Sequence, residues 1–481
     1  MSQAEEIALL REENQALKAR VVYLEAELSN LKKWIFGSKT ERFVPAEQEA
    51  PAEKEQISYE RKKPRKQEED KQKPQRMPLP AHLPRIEHYL RPDEPTDGLL
   101  CIGQQITEEL EYEPGKLYVN RYIRPKYRRE RADESVQILV APLPSRPIEK
   151  GIPGPGLLAH LVISKYLDHL PLYRQNEIFK RQEVSIASST LSDWVAWVAT
   201  LLMPLYERLK SRILASAYMQ ADESPIKVLD STKKGKTHQG YYWLYYSPPE
   251  ALVLFEYHPG RSQEAARAML GSYQGWLQTD GYTVYEAFEN QPGVRLLACM
   301  AHARRKFVEA RANDPARTEE ALRRIQLLYE LEAELKEQNT DEPTTAQLRQ
   351  QKALPILEDM QDWLTKQQSQ VLPKSKIGDA IQYFLNRTDR LKAYCQDGKL
   401  QIDNNLIENA IRPLALGRKN YLFAGSHEAA QRAAVIYSLL GTAKRQGLDP
   451  ADWLKKTLSR INDHPINKIE ELLPLKTGAA P

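Results

Sequence analysis

Two aspartates are the residues of this sequence best suited to chemistry. Asp222 lies within YMQADESPIKVL, which predicts a β-strand, and Asp280 ends the strand-like segment WLQTD. A charged carboxylate is costly inside a sheet unless it is paired or bound to a metal. If the two side chains meet, a hard divalent cation such as Mg²⁺ or Mn²⁺ would relieve their repulsion. Two such ions can activate the attacking oxygen and stabilise the leaving oxygen in phosphodiester cleavage.

A third carboxylate is needed, and the best candidate is Glu408 in DNNLIENAIRPLALGRKNYLFAG. We predict a short helix that begins near Asn404 or Asn405 and ends at Pro413, with Arg412 on the same face as Glu408. An exposed ion pair between Glu408 and Arg412 accounts for this local pattern equally well. Three other carboxylates are rivals for the same role, namely Glu223, Asp230 and Asp403. Spacing alone leaves the third ligand open.

Cations accompany the acidic segments. One group opens the helix-like segment HARRKFVEARA, and another follows the third carboxylate. Guanidinium and ammonium groups there would bind phosphate and stabilise charge during transfer. The cations predicted to contact DNA near the site are His302, Arg304, Arg305, Arg412, Arg418 and Lys419. For the group that begins with the histidine, a solvated or helix-capping role is the alternative.

The predicted elements around the aspartates follow a definite order. Three strands come first, then a helix, a fourth strand, a second helix and a fifth strand. The predicted strands are residues 218–229, 240–247, 251–258, 276–280 and 294–300, and the first helix is 262–271. This is the order of a ribonuclease-H-like domain, in which the first and fourth strands are neighbours. The order therefore predicts that Asp222 and Asp280 lie side by side.

The stretch between Asp280 and Glu408 is too long for a single connection. Residues 316–397 have helical periodicity and predict an all-helical insertion, so the whole chain is expected to be a multidomain α+β protein. The predicted domains are a coiled coil (1–43), a flexible charged linker (44–80), a small β-rich basic module (81–150), a helix-turn-helix-like DNA-binding region (151–210), the first part of the catalytic core (211–315), the helical insertion (316–397), the second part of the core (398–440) and a helical tail (441–481).

The N-terminal segment repeats every seven residues. The repeat forms an apolar seam with leucine at one register, which favours a parallel two-stranded coiled coil, and the buried Asn14 would fix the register. The residues predicted to dimerise are Ile7, Leu10, Asn14, Leu17, Val21, Leu24, Leu28 and Leu31. The flanking positions pair opposite charges in all four heptads, which speaks to partner choice. One amphipathic helix packed on its own domain is the alternative.

Two further segments are candidates for DNA contact. Residues 116–131 alternate basic residues with tyrosines, which predicts a strand whose aromatics either stack on bases or pack on a small sheet. Helical stretches at 157–169, 171–182 and 187–202 follow, and the last two resemble a helix-turn-helix, although helical hairpins are common without DNA. The residues assigned to DNA contact in these segments are Arg124, Lys126, Arg128, Arg129, Ser189 and Thr190.

The bulk properties exclude several classes of protein. The 481 residues carry a net charge of +4, and 41% are hydrophobic, which is typical of globular domains joined by linkers. No run approaches the roughly 18 apolar residues of a membrane span, and a secretory leader is not expected, so we predict a cytoplasmic, nucleoid-associated protein that does not bind membranes. Three distant cysteines argue against a disulfide framework and against a paired-cysteine zinc site.

Long ordered strings in the sequence resemble the transposases of insertion-sequence family 66. They include FGSKTER, APLPSRPIEKGIPGPGLLAHLVISKYLDHLPLYRQ, QADESPIKVL, LQTDGYTVYE, ACMAHARRKF, DNNLIENAIRPLALGRKNYLFAGS and GTAKRQGLDPADWL. The resemblance covers nearly the full length. It implies a ribonuclease-H-like domain with Asp222, Asp280 and Glu408 as the acidic triad, and a helical insertion before Glu408. It also names two small accessory transposition proteins as candidate partners.

The sequence departs from this family in one respect. Members usually carry a small cysteine zinc module before the APLP segment, whereas Cys101 stands alone here, so zinc is not expected. The predicted function is a DNA transposase that acts on terminal inverted repeats and target duplex with two Mg²⁺ or Mn²⁺ ions. The alternatives are a catalytically silent DNA-binding regulator of element ends and a metal-dependent nuclease without strand transfer.

Overall fold

The structure is a computed structural model, and it describes residues 115, 117–120, 126–130, 136–140, 145–149, 151–230 and 235–476. The predicted coiled coil and linker lie outside the described residues, as do Arg124 and Cys101. Strands β1 (Lys126–Glu130) and β2 (Val136–Val140) form an antiparallel hairpin within the segment predicted as a β-rich module. Lys126, Arg128 and Arg129 lie on β1.

Three helices follow the hairpin, in the region predicted to be helical. They are α1 (Pro155–Tyr166), α2 (Leu172–Lys180) and α3 (Ser188–Leu214). The prediction that the third helix ends at residue 202 is wrong, because α3 continues through Pro204 for about three more turns. Its buried apolar face also continues, with Leu205, Leu209 and Ile213 fully covered. Burial of such a face outweighs the cost of one proline, which removes a backbone hydrogen bond.

A five-stranded mixed sheet forms the centre of the described residues. Its strands are β3 (Tyr218–Leu229), β4 (Thr237–Ser247), β5 (Leu252–His258), β6 (Gly275–Thr279) and β7 (Val294–Ala298). The spatial order is β5-β4-β3-β6-β7, with the first three strands antiparallel and β3, β6 and β7 parallel. Helix α4 (Gln263–Leu270) connects β5 to β6, and the 3-10 segment Thr283–Phe288 connects β6 to β7. The strands predicted from the sequence are therefore present, within a few residues at their ends.

The remaining elements are helical. They are α5 (Met300–Ala310), α6 (Pro315–Glu337), α7 (Glu342–Leu348), a π-helical turn (Arg349–Ala353), α8 (Leu354–Gln368), α9 (Lys376–Leu385), α10 (Thr388–Lys392), α11 (Asn405–Tyr421), α12 (His427–Arg445) and α13 (Pro450–Arg460). Two 3-10 segments, Ala393–Gln396 and Ile466–Leu472, complete them. The segment predicted as a helical insertion is thus helical from α6 to α10. None of the helices in the described ranges is long and apolar enough to cross a membrane.

Helix α11 corrects one local prediction. It begins at Asn405, as expected, but it does not end at Pro413 and instead runs on to Tyr421. Pro413 removes one backbone hydrogen bond, yet Leu414 beyond it is fully buried in the same core as Ile407 before it. Packing on both sides of the proline therefore keeps the helix continuous.

The outer edge of β5 is covered by helix α12. The backbone N–H of Phe255 donates to Ser438 Oγ at 2.7 Å, and that of Val253 donates to Thr442 Oγ1 at 3.0 Å. Both hydroxyls also donate to carbonyls of the same strand residues. An exposed strand edge invites pairing with another chain, and these two helix hydroxyls satisfy it instead.

Candidate active site

The two aspartates predicted to bind metal lie beside each other, Asp222 on β3 and Asp280 directly after the end of its parallel neighbour β6. The pairing of β3 with β6 runs in register from Tyr218 opposite Trp276 to Gln220 opposite Gln278. Two residues further along their strands lie Asp222 and Asp280. Because side chains on a strand alternate, Asp222 shares a face with Gln220, and Asp280 follows the last residue of β6. Main-chain hydrogen bonds thus set the approach of the two carboxylates.

Asp222, Asp280 and Glu223 form an acidic cluster. One carboxylate oxygen from each lies within 4.8 Å of the others. Burial, together with the charges of Glu223, Asp280 and Glu408, raises the pKa of Asp222 to about 8, although a 2.7 Å hydrogen bond from the N–H of Glu223 acts in the opposite direction. A group with such a perturbed pKa beside like charges is typical of a functional site. The cluster would be stabilised by a cation.

Glu223 was a rival for the metal site, and its carboxylate is already engaged. Arg261 forms an ion pair with Oε1, and its Nε also donates to that oxygen at 2.9 Å. The hydroxyl of Tyr285 donates to Oε2 at 3.1 Å. Only 1% of the Glu223 side chain is exposed, and burial raises its pKa. Glu223 therefore adds negative charge to the site, but its oxygens have protein partners.

Glu408 lies close to the acidic cluster, but its carboxylate oxygens are not within 4.8 Å of an oxygen from every member of the cluster. It is in the first turn of α11, and its charge contributes to the raised pKa of Asp222. Its Oε1 is 3.9 Å from Nε2 of His302, and 35% of its side chain is exposed. No other described residue pairs with this carboxylate, so the alternative of a plain ion pair with Arg412 is not present in the structure. Glu408 has the free oxygens that Glu223 lacks.

His302 was predicted to line the site, and it lies between the acidic residues. Burial lowers the pKa of His302, and the charge of Arg305 lowers it further. The charges of Asp280 and Glu408 act in the opposite direction. Its Nδ1 is buried without a hydrogen-bond partner among the described residues. A neutral imidazole beside two carboxylates could accept or donate a hydrogen bond as a ligand requires.

A pair of buried glutamines anchors the helix that carries Glu408. Gln220 and Gln278 are fully buried, and Gln220 Nε2 donates to Gln278 Oε1 at 2.8 Å. Gln220 Nε2 also donates to the carbonyl of Asp403 at 3.0 Å, and its Oε1 accepts from the N–H of Ile407 at 3.1 Å. That N–H lies in the first turn of the helix, where donors lack the usual partner four residues back, and it also donates to the carbonyl of Asn404 at 3.1 Å. The strand glutamine therefore caps the helix one residue before Glu408.

Gln278 extends the same network to the preceding loop. Its Nε2 donates to the carbonyl of Gln401 at 2.9 Å, while Tyr218 donates its hydroxyl proton to Gln278 Oε1. The N–H of Gln401 in turn donates to the Tyr218 hydroxyl at 3.2 Å. Sequence reasoning missed this network. A sign of it is the repeated spacing Gln-x-Asp, since each glutamine precedes an aspartate of the acidic cluster by two residues.

The turn after Asp280 is held by the helical insertion. The hydroxyl of Tyr383 on α9 donates to the carbonyl of Asp280 at 2.8 Å, and Arg387 Nη2 donates to the carbonyl of Gly281 at 3.1 Å. Asp280 also receives a 2.9 Å hydrogen bond from the N–H of Tyr282. Gly281 has a φ of +89°, which favours glycine. The insertion therefore shapes the site as well as separating its parts.

Two other rivals of Glu408 have different places. The carboxylate of Asp403 accepts from the Tyr329 hydroxyl at 2.9 Å and from the N–H and side-chain amide of Asn405. It thus organises the start of α11. Asp230 lies just beyond the opposite end of β3 from the acidic cluster, where its N–H donates to the carbonyl of Lys236 at 2.9 Å. Neither belongs to the acidic cluster.

The predicted DNA-contact residues are not all brought to the site. Arg418 connects α11 to β3, because its Nη1 donates to Ser224 Oγ at 2.8 Å and to the carbonyl of Pro225 at 2.7 Å. Arg412 and Lys419 are exposed on α11. Ser189 and Thr190 lie in the first turn of α3, next to the short connection from α2. Contact of these residues with DNA stays a prediction.

The family model described as Transposase IS66 family matches residues 150–432 of the chain. The chain belongs to the IS66 transposase family. A model described as IS66 C-terminal element matches residues 438–475, and one described as Transposase C of IS166 homeodomain matches residues 23–87. This IS66 transposase is thus a DNA-processing enzyme with DNA as its partner. The last match overlaps the end of the predicted coiled coil (1–43), the predicted linker (44–80) and the first residues of the predicted β-rich module (81–150).

Curated relatives of the IS66 transposase come from Sinorhizobium fredii (strain NBRC 101917 / NGR234). This chain is 35% identical to the uncharacterized protein y4qI over 430 aligned residues, and the alignment covers 84% of this chain and 78% of the relative. It is 34% identical over 421 residues to the uncharacterized protein y4jD, covering 82% of this chain and 81% of the relative. No solved structure matches the chain.

Proposed function

We propose that this IS66 transposase cleaves the ends of an insertion sequence and transfers the freed 3′-hydroxyl strand into target DNA. Asp222, Asp280 and Glu408 are its acidic triad, in a ribonuclease-H-like domain with a helical insertion. The observation that carries the proposal is the approach of carboxylates from β3, β6 and α11, close enough for Asp280 and Glu408 to raise the pKa of Asp222. The strand order and the parallel pairing of β3 with β6 support the fold assignment.

The donor set suits divalent metal ions. All the ligand atoms are carboxylate oxygens, which hard cations such as Mg²⁺ and Mn²⁺ prefer. The raised pKa of Asp222 reflects burial and mutual repulsion, both of which a bound cation would offset. When bound, two such ions would activate the attacking oxygen and stabilise the leaving oxygen. Asp222 and Asp280 would hold both ions, and Glu408 would complete the shell of one.

The neighbouring residues have separable tasks. Arg261 neutralises Glu223 and stacks over the Tyr282 ring, 3.8 Å from its centroid, so it limits the negative charge beside the site. His302 faces Glu408 and would orient its carboxylate. The glutamine network fixes the position of the helix end that carries Glu408. Fixed groups of this kind reduce the reorganisation needed when charge develops on the phosphate.

Recognition of the element ends is assigned to the N-terminal half of the chain. The homeodomain match at residues 23–87 supports DNA contact there, and residues 80–200 would add the hairpin and the α2–α3 pair. Homodimerisation through residues 1–43 would bring two terminal inverted repeats together, because a two-fold dimer binds two equivalent sites. The two small accessory proteins would join this assembly.

The proposal is tested by incubating the full-length protein with a labelled terminal-repeat duplex, a target duplex and Mg²⁺. We expect cleaved and joined products from the unaltered protein and a loss of at least about 100-fold in both from Asp280→Asn. Asp230→Asn is the matched control, because it changes an aspartate near the other end of β3 and should leave both products unchanged.

Each other outcome has a definite meaning. Equal cleavage by Asp280→Asn and the unaltered protein would overturn the triad. Cleavage without joined products would favour a nuclease over a transposase mechanism. Binding to the terminal repeat without any cleavage, in Mg²⁺ and in Mn²⁺, would favour a silent regulator.

A further inference from the structure

A basic groove runs between helices α5 and α6, beside the acidic site. Its volume is about 750 Å³. The residues that line it are Ala301, Arg304, Arg305, Val308, Arg311, Glu319, Leu322, Arg323, Gln326, Tyr329 and Asn405. Four of them are arginines and one is acidic. Arg323 pairs with Glu320 and Arg311 with Glu319, so the positive excess of the groove lies at Arg304 and Arg305.

The arginines of the groove differ in their partners. Arg304 and Arg305 are exposed, and neither has an acidic partner among the described residues. Arg311 pairs with Glu319 at 2.6 Å, and all of the atoms involved are on exposed side chains. Exposed pairs of this kind contribute little and exchange readily. Two guanidinium groups are therefore free for an anion, and another can be released to one.

The groove begins where the acidic site ends. Ala301 directly precedes His302, whose Nε2 is 3.9 Å from Glu408 Oε1. Asn405 is the first residue of α11, one turn before Glu408. From there the groove follows α5 along positions 301, 304, 305, 308 and 311, which recur at the spacing of one helix face. Its free arginines thus form a track that leads away from the catalytic carboxylates.

We propose that this groove binds the sugar-phosphate backbone of the DNA strand that the site cleaves, on one side of the scissile phosphate. The proposal rests on the proposed function, because it takes the acidic cluster as the place of cleavage. Guanidinium groups bind phosphate oxygens in pairs of hydrogen bonds, and a row of them on a helix suits a linear polyanion. The contacts are to phosphates, so they fix the position of the strand without selecting its sequence.

The test is a binding assay that does not depend on cleavage. Fluorescence anisotropy of a labelled terminal-repeat duplex is measured with the full-length protein in EDTA, at several salt concentrations. The double variant Arg304→Ala/Arg305→Ala should bind about tenfold more weakly or worse, and the slope of log affinity against log salt should fall by about 2. An unrelated duplex should show the same change.

The matched control removes two exposed cations from the neighbouring helical insertion. Lys352→Ala/Lys366→Ala carries the same change in net charge, but both lysines lie outside the groove. Its affinity should change less than that of the groove variant. Duplexes shortened from either side of the cleavage point locate the contact, because removal of one side alone should abolish the difference between the groove variant and the unaltered protein.

Failure of this inference is distinguishable from failure of the proposed function. An unchanged affinity and salt slope in the arginine double variant would overturn the groove assignment, as expected if the groove instead held an acidic protein segment. Asp280→Asn should bind DNA as tightly as the unaltered protein in EDTA. If Asp280→Asn also cleaves normally, the proposed function fails while the binding result for the groove stands.

Discussion

The aspartates and the glutamate of the proposed triad are held in place by different means. Asp222 and Asp280 follow adjacent paired positions of two parallel strands, so the backbone ladder of the sheet determines their approach. Glu408 comes from a helix more than a hundred residues away along the chain, and buried side-chain amides attach that helix to the same strands. A ladder depends on no particular side chain, whereas the attachment of Glu408 depends on specific side chains, among them Gln220 and Gln278.

This difference predicts where the site is vulnerable. Substitutions in the core near β3 and β6 must disrupt a sheet before they separate the aspartates. A substitution of one buried glutamine can loosen the end of α11 while the sheet stays intact, because the lost hydrogen bonds belong to the attachment alone. Substitutions of Glu408, Gln220 and Gly281 separate the two kinds of positioning.

The largest effect is expected at Glu408. Glu408→Gln should lower cleavage by at least about 100-fold, because it removes a nearby carboxylate whose oxygens lack close partners among the described residues. Glu223→Gln should lower cleavage by less than about tenfold, since the new amide oxygen can still accept from Arg261 or Tyr285. Rates are compared in the same strand-cleavage assay. A reversed ranking would make Glu223 the third ligand.

Sequence reasoning succeeds where the pattern is periodic. Asp222 and Asp280 could be placed together because the sequence shows both the strands, by their alternation of apolar and polar residues, and the order of the strands. The structure contains those strands. The helical insertion is visible for the same reason. The start of α11 at Asn405 follows from its local residues.

The parts that sequence reasoning missed depend on distant contacts. Pro413 and Pro204 look like helix ends, but buried leucines beyond each proline continue the helix. Asp403 looks like a metal ligand until Tyr329, from the insertion, is seen to donate to it. The role of Gln220 depends on the carbonyl of Asp403 and the N–H of Ile407, each nearly two hundred residues away along the chain. The repeated Gln-x-Asp spacing marks the two glutamines, but it does not identify their distant partners.

A middle-sized effect is expected at Gln220. Gln220→Met keeps the shape of the side chain but removes its hydrogen bonds to Asp403 and Ile407, so cleavage should fall by about 10- to 100-fold. The effect should lie in the rate at saturating DNA, and the rise in Tm on adding Mg²⁺ should shrink because Glu408 is no longer fixed.

Gln175→Met is the control for a general loss of stability. Gln175 is equally buried on α2 and donates to the carbonyls of Leu161 and Leu170, away from the acidic cluster. Gln175→Met should lower Tm. It should leave unchanged both the rise in Tm on adding Mg²⁺ and the cleavage rate at a permissive temperature. If both variants behave alike, Gln220 is only a structural residue and Glu408 is positioned by other contacts.

The smallest effect is expected at the turn that follows Asp280. A Cβ on Gly281 would lie 2.7 Å from Arg387 Nε and 3.0 Å from the Tyr383 hydroxyl oxygen. Gly281→Ala should therefore cost about 1–3 kcal/mol in the free energy of unfolding and lower cleavage only a few-fold, because the strand ladder still holds Asp280.

Gly235→Ala is the matched control for that substitution. Gly235 also has a positive φ, of +76°, but a Cβ there would meet nothing within 4 Å. It shares the backbone strain of Gly281→Ala without the clash against the insertion, so denaturant unfolding of both variants isolates the contribution of that contact. If Gly281→Ala abolishes cleavage while Gly235→Ala does not, the contact with α9 and Arg387 positions Asp280 as strictly as the glutamines position Glu408, and the contrast between ladder and attachment is wrong.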